Sequence, residues 1–236
     1  MANILAIDTS TDACSVALYV QGQYTHRYEV IPRGHSGRLM PMLQEILPNG
    51  DLCAAGVDAI AYGVGPGSFT GLRIAASAVQ GLAFANRIPA IPISTLACQA
   101  QTALRKGLVN SGDWVLSTLD ARINEIYWSV FRFEKGLARL EVGPEVCNPS
   151  ELVVDPAVRL LQAIGGGLKY EDALPAAIRD RLGSAISDIL PDAVDLVPLA
   201  IENLNRGEVQ SAKEVSPIYV RDEISWKKIA EQGKLQ

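Results

Sequence analysis

One order of elements occurs twice in this sequence. Residues 4–8 form a continuously apolar run that ends in an aspartate, and a polar turn and a second apolar stretch, Cys14–Val20, follow it. The second half restarts in the same way, with Trp114–Asp120, a turn and Glu125–Phe133. An unbroken apolar run is typical of a strand buried on both faces, and a short polar turn favours antiparallel pairing with the next strand. The repetition therefore predicts an α/β protein with two halves, each led by an antiparallel meander in a mixed sheet with flanking helices.

The stretches around these meanders alternate between helix and strand patterns. Apolar residues at helical spacing predict the helices, and short apolar runs predict the strands. Thr70 is expected to cap the second helix. The predicted elements are a strand Tyr24–Ile31, a helix His35–Leu47, a strand Val57–Val64, a helix Leu72–Asn86, a strand Pro89–Ile93, a helix Thr95–Lys106, a strand Val158–Ile164 and a helix near Leu199–Arg206. We expect one domain over residues 1–108, a second over 109–222 and a tail over 223–236.

Composition excludes several classes of protein. Apolar residues make up 48 % of the chain and charged residues 20 %, which is typical of a folded chain rather than a disordered one. The net charge of −5 argues against a protein that binds nucleic acid with its whole surface, because neutralising phosphates requires a basic one. No basic leader or membrane-spanning run is expected, and the four cysteines are far apart. We therefore expect a cytoplasmic protein.

Two loops could contact a phosphate. Asp8, Thr9 and Ser10 follow the first strand, and small hydroxyl residues there can present hydroxyls and amides to an anion. The alternative is a turn in which Asp8 caps its own backbone. The glycine-rich run over residues 63–71 joins a strand to a helix, but it matches neither the Walker pattern nor the dinucleotide fingerprint. For this second loop, the spacing favours a tight structural connection.

The chain offers few catalytic groups. Its histidines, His26 and His35, are too far apart in sequence for a His-x-x-x-His metal pair. No Gly-x-Ser-x-Gly elbow surrounds any serine. A second glycine cluster, at residues 165–167, follows a predicted strand. On its own residues, the sequence indicates little catalytic equipment.

Ten short segments, from the first strand to the tail, resemble one known family. They are Ile4–Ser10, Ala13–Leu18, His35–Ser36 with Leu39–Pro41, Tyr62–Arg73, Ile93–Leu96, Asp120–Arg122 with Glu125–Trp128, and Pro217–Arg221 with Trp226–Lys228. Together they resemble the TsaB (YeaZ) family. The resemblance implies the two-lobed acetate kinase, sugar kinase, Hsc70 and actin (ASKHA) fold. It also implies a part in making N6-threonylcarbamoyladenosine at position 37 of tRNAs that read codons beginning with A.

The resemblance further implies partners and a division of labour. In that system, the related subunit TsaD is catalytic, TsaE is an ATPase, and TsaC supplies the threonylcarbamoyl-adenylate. TsaD carries a metal-binding His-x-x-x-His at places that correspond here to Thr95 and Gln99. The resemblance therefore implies a chain that is no enzyme by itself, holds no metal and requires no cofactor. Weak, vestigial ATP or ADP binding is expected at Asp8, Thr9, Ser10, Asp120, Gly165 and Gly166.

Family members pair through helices of the N-terminal half, as homodimers or as heterodimers with TsaD. We expect that surface to include Leu39, Leu43, Ile46, Arg73, Ile74, Ala78 and Leu82; the alternative for the apolar six is ordinary core. The partners implied are TsaD and TsaE, a second copy when the chain is alone, and tRNA through the complex, with no membrane. Lys227 and Lys228 could add a local tRNA contact, although solvated tail lysines are the simpler reading.

Two other function classes stay open. An ATPase or small-molecule kinase of the same fold would use Asp8, Thr9 and Asp120. A glycoprotease-like metallopeptidase is disfavoured, because the sequence offers no pair of zinc-binding histidines.

Overall fold

The structure is a computed structural model that describes residues 2–47 and 49–221. The predicted tail, residues 223–236, lies outside the described residues together with Lys227 and Lys228. None of the described helices is both long and apolar enough to cross a membrane.

The first sheet has five strands. They are β1 (Ile4–Asp8), β2 (Ala13–Val20), β3 (Gln23–Val30), β4 (Ala59–Gly65) and β5 (Ala90–Ser94), in the spatial order β3-β2-β1-β4-β5. β1 pairs antiparallel with β2 and parallel with β4, and every residue of β1 is buried. The continuously apolar first run is therefore a central strand covered on both faces.

The second sheet repeats the plan of the first. Its strands are β6 (Trp114–Arg122), β7 (Glu125–Glu134), β8 (Leu137–Cys147), β9 (Leu161–Ile164) and β10 (Leu182–Ile186), in the order β10-β9-β6-β7-β8. β6 occupies the place of β1, with an antiparallel neighbour on one side and a parallel one on the other. The predicted fold class, two α/β halves each led by an antiparallel meander, is confirmed.

Five α-helices complete the described chain. They are α1 (His35–Ile46), α2 (Phe69–Asn86), α3 (Thr95–Arg105), α4 (Ala176–Arg179) and α5 (Ala193–Asn205), with short 3-10 helices at Pro149–Glu151 and Gly166–Ala173. α1 and α2 cover one side of the first sheet, while α3 and α5 pack on each other and contact strands of both sheets. The largest hydrophobic cluster therefore joins the two halves.

The end of the described chain returns to the first sheet. Gln210 bridges to Ala90 at the start of β5, and the Ile218 amide donates to the Val64 carbonyl at 2.8 Å. The predicted division between residues 108 and 109 stays a prediction, and these contacts tie the residues around 210–218 to the N-terminal half.

Several element boundaries differ from the sequence predictions. α2 begins at Phe69 rather than Leu72, because Ser68 and not Thr70 caps it by accepting from the Gly71 amide at 3.2 Å. The strand predicted from Val158 begins only at Leu161. β8 was not predicted at all, since the Gly-Pro pair at residues 143–144 interrupts its pattern.

The last helix also begins earlier than predicted, at Ala193 rather than near Leu199. Proline removes a backbone donor, so Pro198 makes the sequence of this segment atypical of a helix interior. In the structure, Asp192 caps the helix by accepting from the Val194 amide at 3.1 Å, and Pro198 lies within it.

Candidate functional site

The glycine-rich loop before α2 packs directly onto the loop after β1. The Thr9 hydroxyl donates to the Gly71 carbonyl at 2.7 Å, and the Ser68 amide donates to the Ser10 carbonyl at 2.7 Å. A Cβ at Gly71 would lie 1.9 Å from the Thr9 carbonyl oxygen, and one at Gly67 would lie 2.3 Å from that of Ser10. These glycines therefore allow two backbones to touch, which is the structural connection that the spacing favoured.

Asp8 is fully buried at the end of β1. One carboxylate oxygen accepts from the Ser10 amide at 3.0 Å and from the Ser10 hydroxyl at 2.8 Å. The other has no hydrogen-bond partner among the described residues and faces Gly63, whose missing Cβ would lie 2.0 Å away. Burial, with a smaller contribution from the charge of Asp192, raises the pKa of Asp8 to about 6, against the opposing effect of the Ser10 hydrogen bonds.

Gln99 lies between the two halves and is fully buried. Its side-chain amide donates to the Ile189 carbonyl at 2.7 Å and accepts from the Ser117 hydroxyl at 2.6 Å. A Cβ at Gly165 would lie 2.6 Å from the same amide group. Gln99 thus links α3, β6 and the glycine cluster after β9, and both ends of its amide are already bonded.

Thr95 and Gln99, the positions for which the resemblance implies a metal pair in a related protein, do not supply metal-binding groups here. Thr95 is fully buried, and its hydroxyl has no hydrogen-bond partner among the described residues. Zinc and iron prefer imidazole, thiolate or carboxylate donors, which neither Thr95 nor Gln99 supplies. Within residues 2–47 and 49–221, no three His, Cys, Asp or Glu side chains come together in a way that could hold a metal ion.

The nucleotide candidates of the second half lie apart from this buried network, with one exception. Asp120 accepts from the Lys169 ammonium at 2.6 Å and from the Arg122 amide at 2.9 Å. Gly165 has a φ of +97° and packs onto the Thr118 carbonyl, whereas a Cβ at Gly166 would meet nothing within 4 Å. Of the six candidates, Asp8, Thr9 and Ser10 form one closed loop and Gly165 lies against Gln99, so only Asp120 and Gly166 lie outside these close-packed contacts.

Three of the predicted interface residues are core. Leu39, Leu43 and Ile46 are 1 %, 7 % and 5 % exposed and belong to the hydrophobic cluster between α1, α2 and the first sheet. Their helical spacing reports the side of α1 that faces the sheet. This burial favours the alternative of ordinary core for all three, although Leu39 also lines a groove between α1 and α2, and their part in pairing stays a prediction.

The other four predicted interface residues lie on α2 where the core meets the surface. Arg73 is exposed, and Ile74, Ala78 and Leu82 are partly buried and pack against the same hydrophobic cluster. Together with α1, this side of α2 forms a shallow groove of about 590 Å³. The groove is lined by Ser36, Leu39, Met40, Phe69, Thr70, Arg73, Ile74, Ser77 and Ala78. Arg73, Ile74 and Ala78 therefore share one surface, whereas Leu82 lies one turn beyond it.

Arg73 is held in place at one end of this groove. Its guanidinium carbon lies 3.6 Å from the centre of the Phe69 ring, and its Nε donates to the Tyr219 hydroxyl at 2.9 Å. No carboxylate among the described residues pairs with it in an ion pair. The groove thus combines an apolar surface with one fixed positive charge.

Sequence reasoning missed the most exposed apolar residues of the groove. Met40 is 50 % exposed and Phe69 is 51 % exposed, and neither was singled out. The helix predicted from Leu72 leaves Phe69 in the preceding loop, whereas α2 begins at Phe69. Tyr219 comes from a distant part of the chain, and no local pattern connects it with Arg73.

Comparison with known proteins identifies the family. Residues 20–189 match the family model described as "TsaD: tRNA N6-adenosine threonylcarbamoyltransferase". The chain is 40 % identical to the "tRNA threonylcarbamoyladenosine biosynthesis protein TsaB" of Haemophilus influenzae, over 96 % of each chain. It is 38 % identical to the protein of the same name from Escherichia coli K12, over 96 % of this chain and 97 % of that one.

A solved structure agrees with these relatives. YeaZ from Pseudomonas aeruginosa superimposes with a TM-score of 0.83 at 40 % identity, covering 93 % of this chain and all of that one. The architecture of two mixed sheets with flanking helices accordingly corresponds to the two-lobed ASKHA-like fold. The chain belongs to the TsaB (YeaZ) family of tRNA threonylcarbamoyladenosine biosynthesis proteins.

Proposed function

We propose that this chain is a non-catalytic subunit in the biosynthesis of threonylcarbamoyladenosine in tRNA. In this proposal it binds and activates TsaD, together with TsaE, for the modification of adenosine 37 in tRNAs that read codons beginning with A. The relatives named for this biosynthesis support the pathway. The finer assignment of role and partners follows from the character of the site.

The groove between α1 and α2 is the observation that carries the proposal. Met40 and Phe69 expose about half of their side chains there, beside the small residues Ser77 and Ala78. Small residues on a helix surface allow another helix to approach closely, and exposed aromatic and methionine side chains are enriched at protein interfaces. We therefore assign the groove to a helical face of TsaD, or of a second copy when TsaD is absent.

The buried network around Gln99 supports a non-catalytic role. A catalytic metal needs strong donors and an open coordination position. At the corresponding places this chain has Thr95 and the doubly bonded amide of Gln99. The proposal accordingly assigns no metal or required cofactor to this chain, keeps weak binding of ATP or ADP near Asp120 as a prediction, and places its action in the cytoplasm with tRNA.

A binding experiment tests the partner assignment. TsaD from the same organism is titrated with the full chain and with Ser77→Glu, which puts a charge into the groove at an exposed position. Ser187→Glu, at an exposed position of the second half, is the matched control. We expect Ser77→Glu to weaken binding at least tenfold, because a long charged side chain then occupies the apolar groove and can pair with Arg73 one turn away, and Ser187→Glu to bind as the unaltered chain does. Equal affinity of all three proteins would overturn the assignment of the groove.

A further inference from the structure

The groove between α1 and α2 lies beside the point where the described chain ends. Tyr219 touches Arg73 and Phe69, which both line the groove; its ring centre lies 5.6 Å from that of Phe69. The chain then continues through Arg221, whose guanidinium pairs with Glu125 and donates to the Ala121 carbonyl at 3.3 Å. The following residues, 222–236, therefore start a few residues from the groove wall.

The tail is long enough to return to the end of the groove beside Arg73 and Phe69. Trp226 follows Arg221, the last described residue, by five positions, which allows a span of up to about 17 Å. The groove runs along α2 from Phe69 to Ala78, and that length of helix is about 14 Å. An attached segment of this kind has an effective concentration in the millimolar range, so even weak contacts would fill the site.

The chemistry of the tail matches that of the groove. Its first half contains Ile224 and Trp226, and a tryptophan ring covers a large apolar area when it is buried. Asp222 and Glu223 directly precede them. Arg73 supplies a positive charge at the end of the groove nearest to Tyr219, and no described carboxylate pairs with it.

We propose that the groove binds the chain's own tail, residues 222–236, with the Trp226 ring against Met40, Phe69 and Ile74 and the leading carboxylates beside Arg73. The occupied groove is closed to any other protein. Resting on the function proposed above, the tail competes with TsaD for one surface and sets the affinity of the complex. If it fills the groove nine-tenths of the time, it weakens the affinity for TsaD about tenfold.

Fluorine NMR tests the docking without any partner. The full chain is labelled with 5-fluorotryptophan, and the resonance of Trp226 is identified with Trp226→Phe. We expect this resonance to differ from that of a free peptide of residues 222–236, to move toward it in Ser77→Glu, and to stay in place in Ser187→Glu. A Trp226 resonance equal to that of the free peptide and indifferent to Ser77→Glu overturns the proposal. A shift that disappears on dilution from 500 to 5 µM overturns it as well, because the tail of a second copy then fills the groove.

Truncation tests the competition. A chain that ends at Arg221 should bind TsaD three- to tenfold more tightly than the full chain, whereas Trp226→Ala in the full chain should give part of that gain. If the truncated and the full chain bind TsaD with equal affinity, although the Trp226 resonance shows that the tail is docked, the proposed competition is overturned. If Trp226 docks in the full chain, but neither the full nor the truncated chain binds TsaD, the proposed function is refuted and the docking of the tail stands.

Discussion

Gly71 and Thr9 are in backbone contact, and the contact leaves no room for a side chain. The Thr9 carbonyl oxygen lies 1.9 Å from where a Cβ of Gly71 would be, and the Thr9 hydroxyl donates to the Gly71 carbonyl at 2.7 Å. This contact fixes the first turn of α2, and with it the groove, against the loop after β1.

Two alanine substitutions in α2 should therefore have opposite effects. Gly71→Ala forces two backbones apart and should lower the free energy of unfolding by about 2–4 kcal/mol. Gly81→Ala, in the same helix but with nothing within 4 Å of its missing Cβ, should raise it by about 0.5–1 kcal/mol, because alanine favours helix over glycine. Urea unfolding measures both values. Equal effects of the two substitutions would contradict the contact between Gly71 and Thr9.

The ionisation of Asp8 should reduce the stability of the protein as pH rises from about 4 to 7. Burial raises the pKa of Asp8 from its ordinary value of 3.8 to about 6. Between these values the unfolded chain has lost the proton that the folded chain still holds, so rising pH favours unfolding, and the effect is complete above the folded pKa. At about 1.4 kcal/mol per pKa unit, the ionisation of Asp8 lowers the free energy of unfolding by about 3 kcal/mol.

Asp8→Asn isolates this contribution, because the amide keeps the oxygen that accepts from Ser10 but does not ionise. The difference in unfolding free energy between Asp8→Asn and the unaltered chain should shift by about 3 kcal/mol in favour of the variant between pH 4 and pH 7.5. Denaturant titrations at both pH values measure it. Parallel pH profiles of the two proteins would show that Asp8 ionises normally.

Arg105 should be important for the packing of α3 against α5. Its guanidinium donates to both oxygens of Asp195, at 2.8 Å from Nε and 2.8 Å from Nη2, and to Asp192 at 2.9 Å. Asp195 is 2 % exposed, so Arg105→Ala leaves a buried carboxylate without its charge partner. Because Arg105 itself is partly exposed, we expect a loss of about 2–3 kcal/mol in unfolding free energy.

A second arginine provides the control for this prediction. Arg206 pairs with Glu202, which lies one turn earlier on the surface of α5. Arg206→Ala should therefore lower the free energy of unfolding by no more than about 0.5 kcal/mol. Thermal unfolding of both variants separates the buried pair from the exposed one. Similar losses for the two variants would mean that the contacts of Arg105 carry little stability.

The antiparallel pairs that lead each sheet could be predicted from sequence, because they depend on local patterns, whereas the parallel neighbours of β1 and β6 join distant segments. The central strand β1 is apolar at every position and β6 nearly so, and each is followed by a short turn that permits only an antiparallel neighbour. Apolar residues at helical spacing likewise predict α1 and α3, and the predicted ends lie within one residue of the observed ends.

The site could be predicted only in part, because core and interface residues share one helical spacing. Leu39 and Met40 are neighbours in sequence, yet one is 1 % and the other 50 % exposed. Which side of α1 faces the sheet depends on tertiary packing and not on the residue types alone. The contact of Arg73 with Tyr219 joins residues far apart in the chain, so no local pattern contains it.

Nucleoside mass spectrometry of tRNA shows whether the groove between α1 and α2 makes this chain a subunit in tRNA modification. Cells depleted of the protein are complemented with the unaltered chain, with Ala78→Asp in the groove, or with Ala177→Asp, the same change at an exposed position of α4. We expect threonylcarbamoyladenosine to fall on depletion and to return with the unaltered chain and Ala177→Asp. Ala78→Asp, present as a folded protein at the same level, should not restore it. Full restoration by Ala78→Asp, or an unchanged nucleoside level on depletion, would contradict this account.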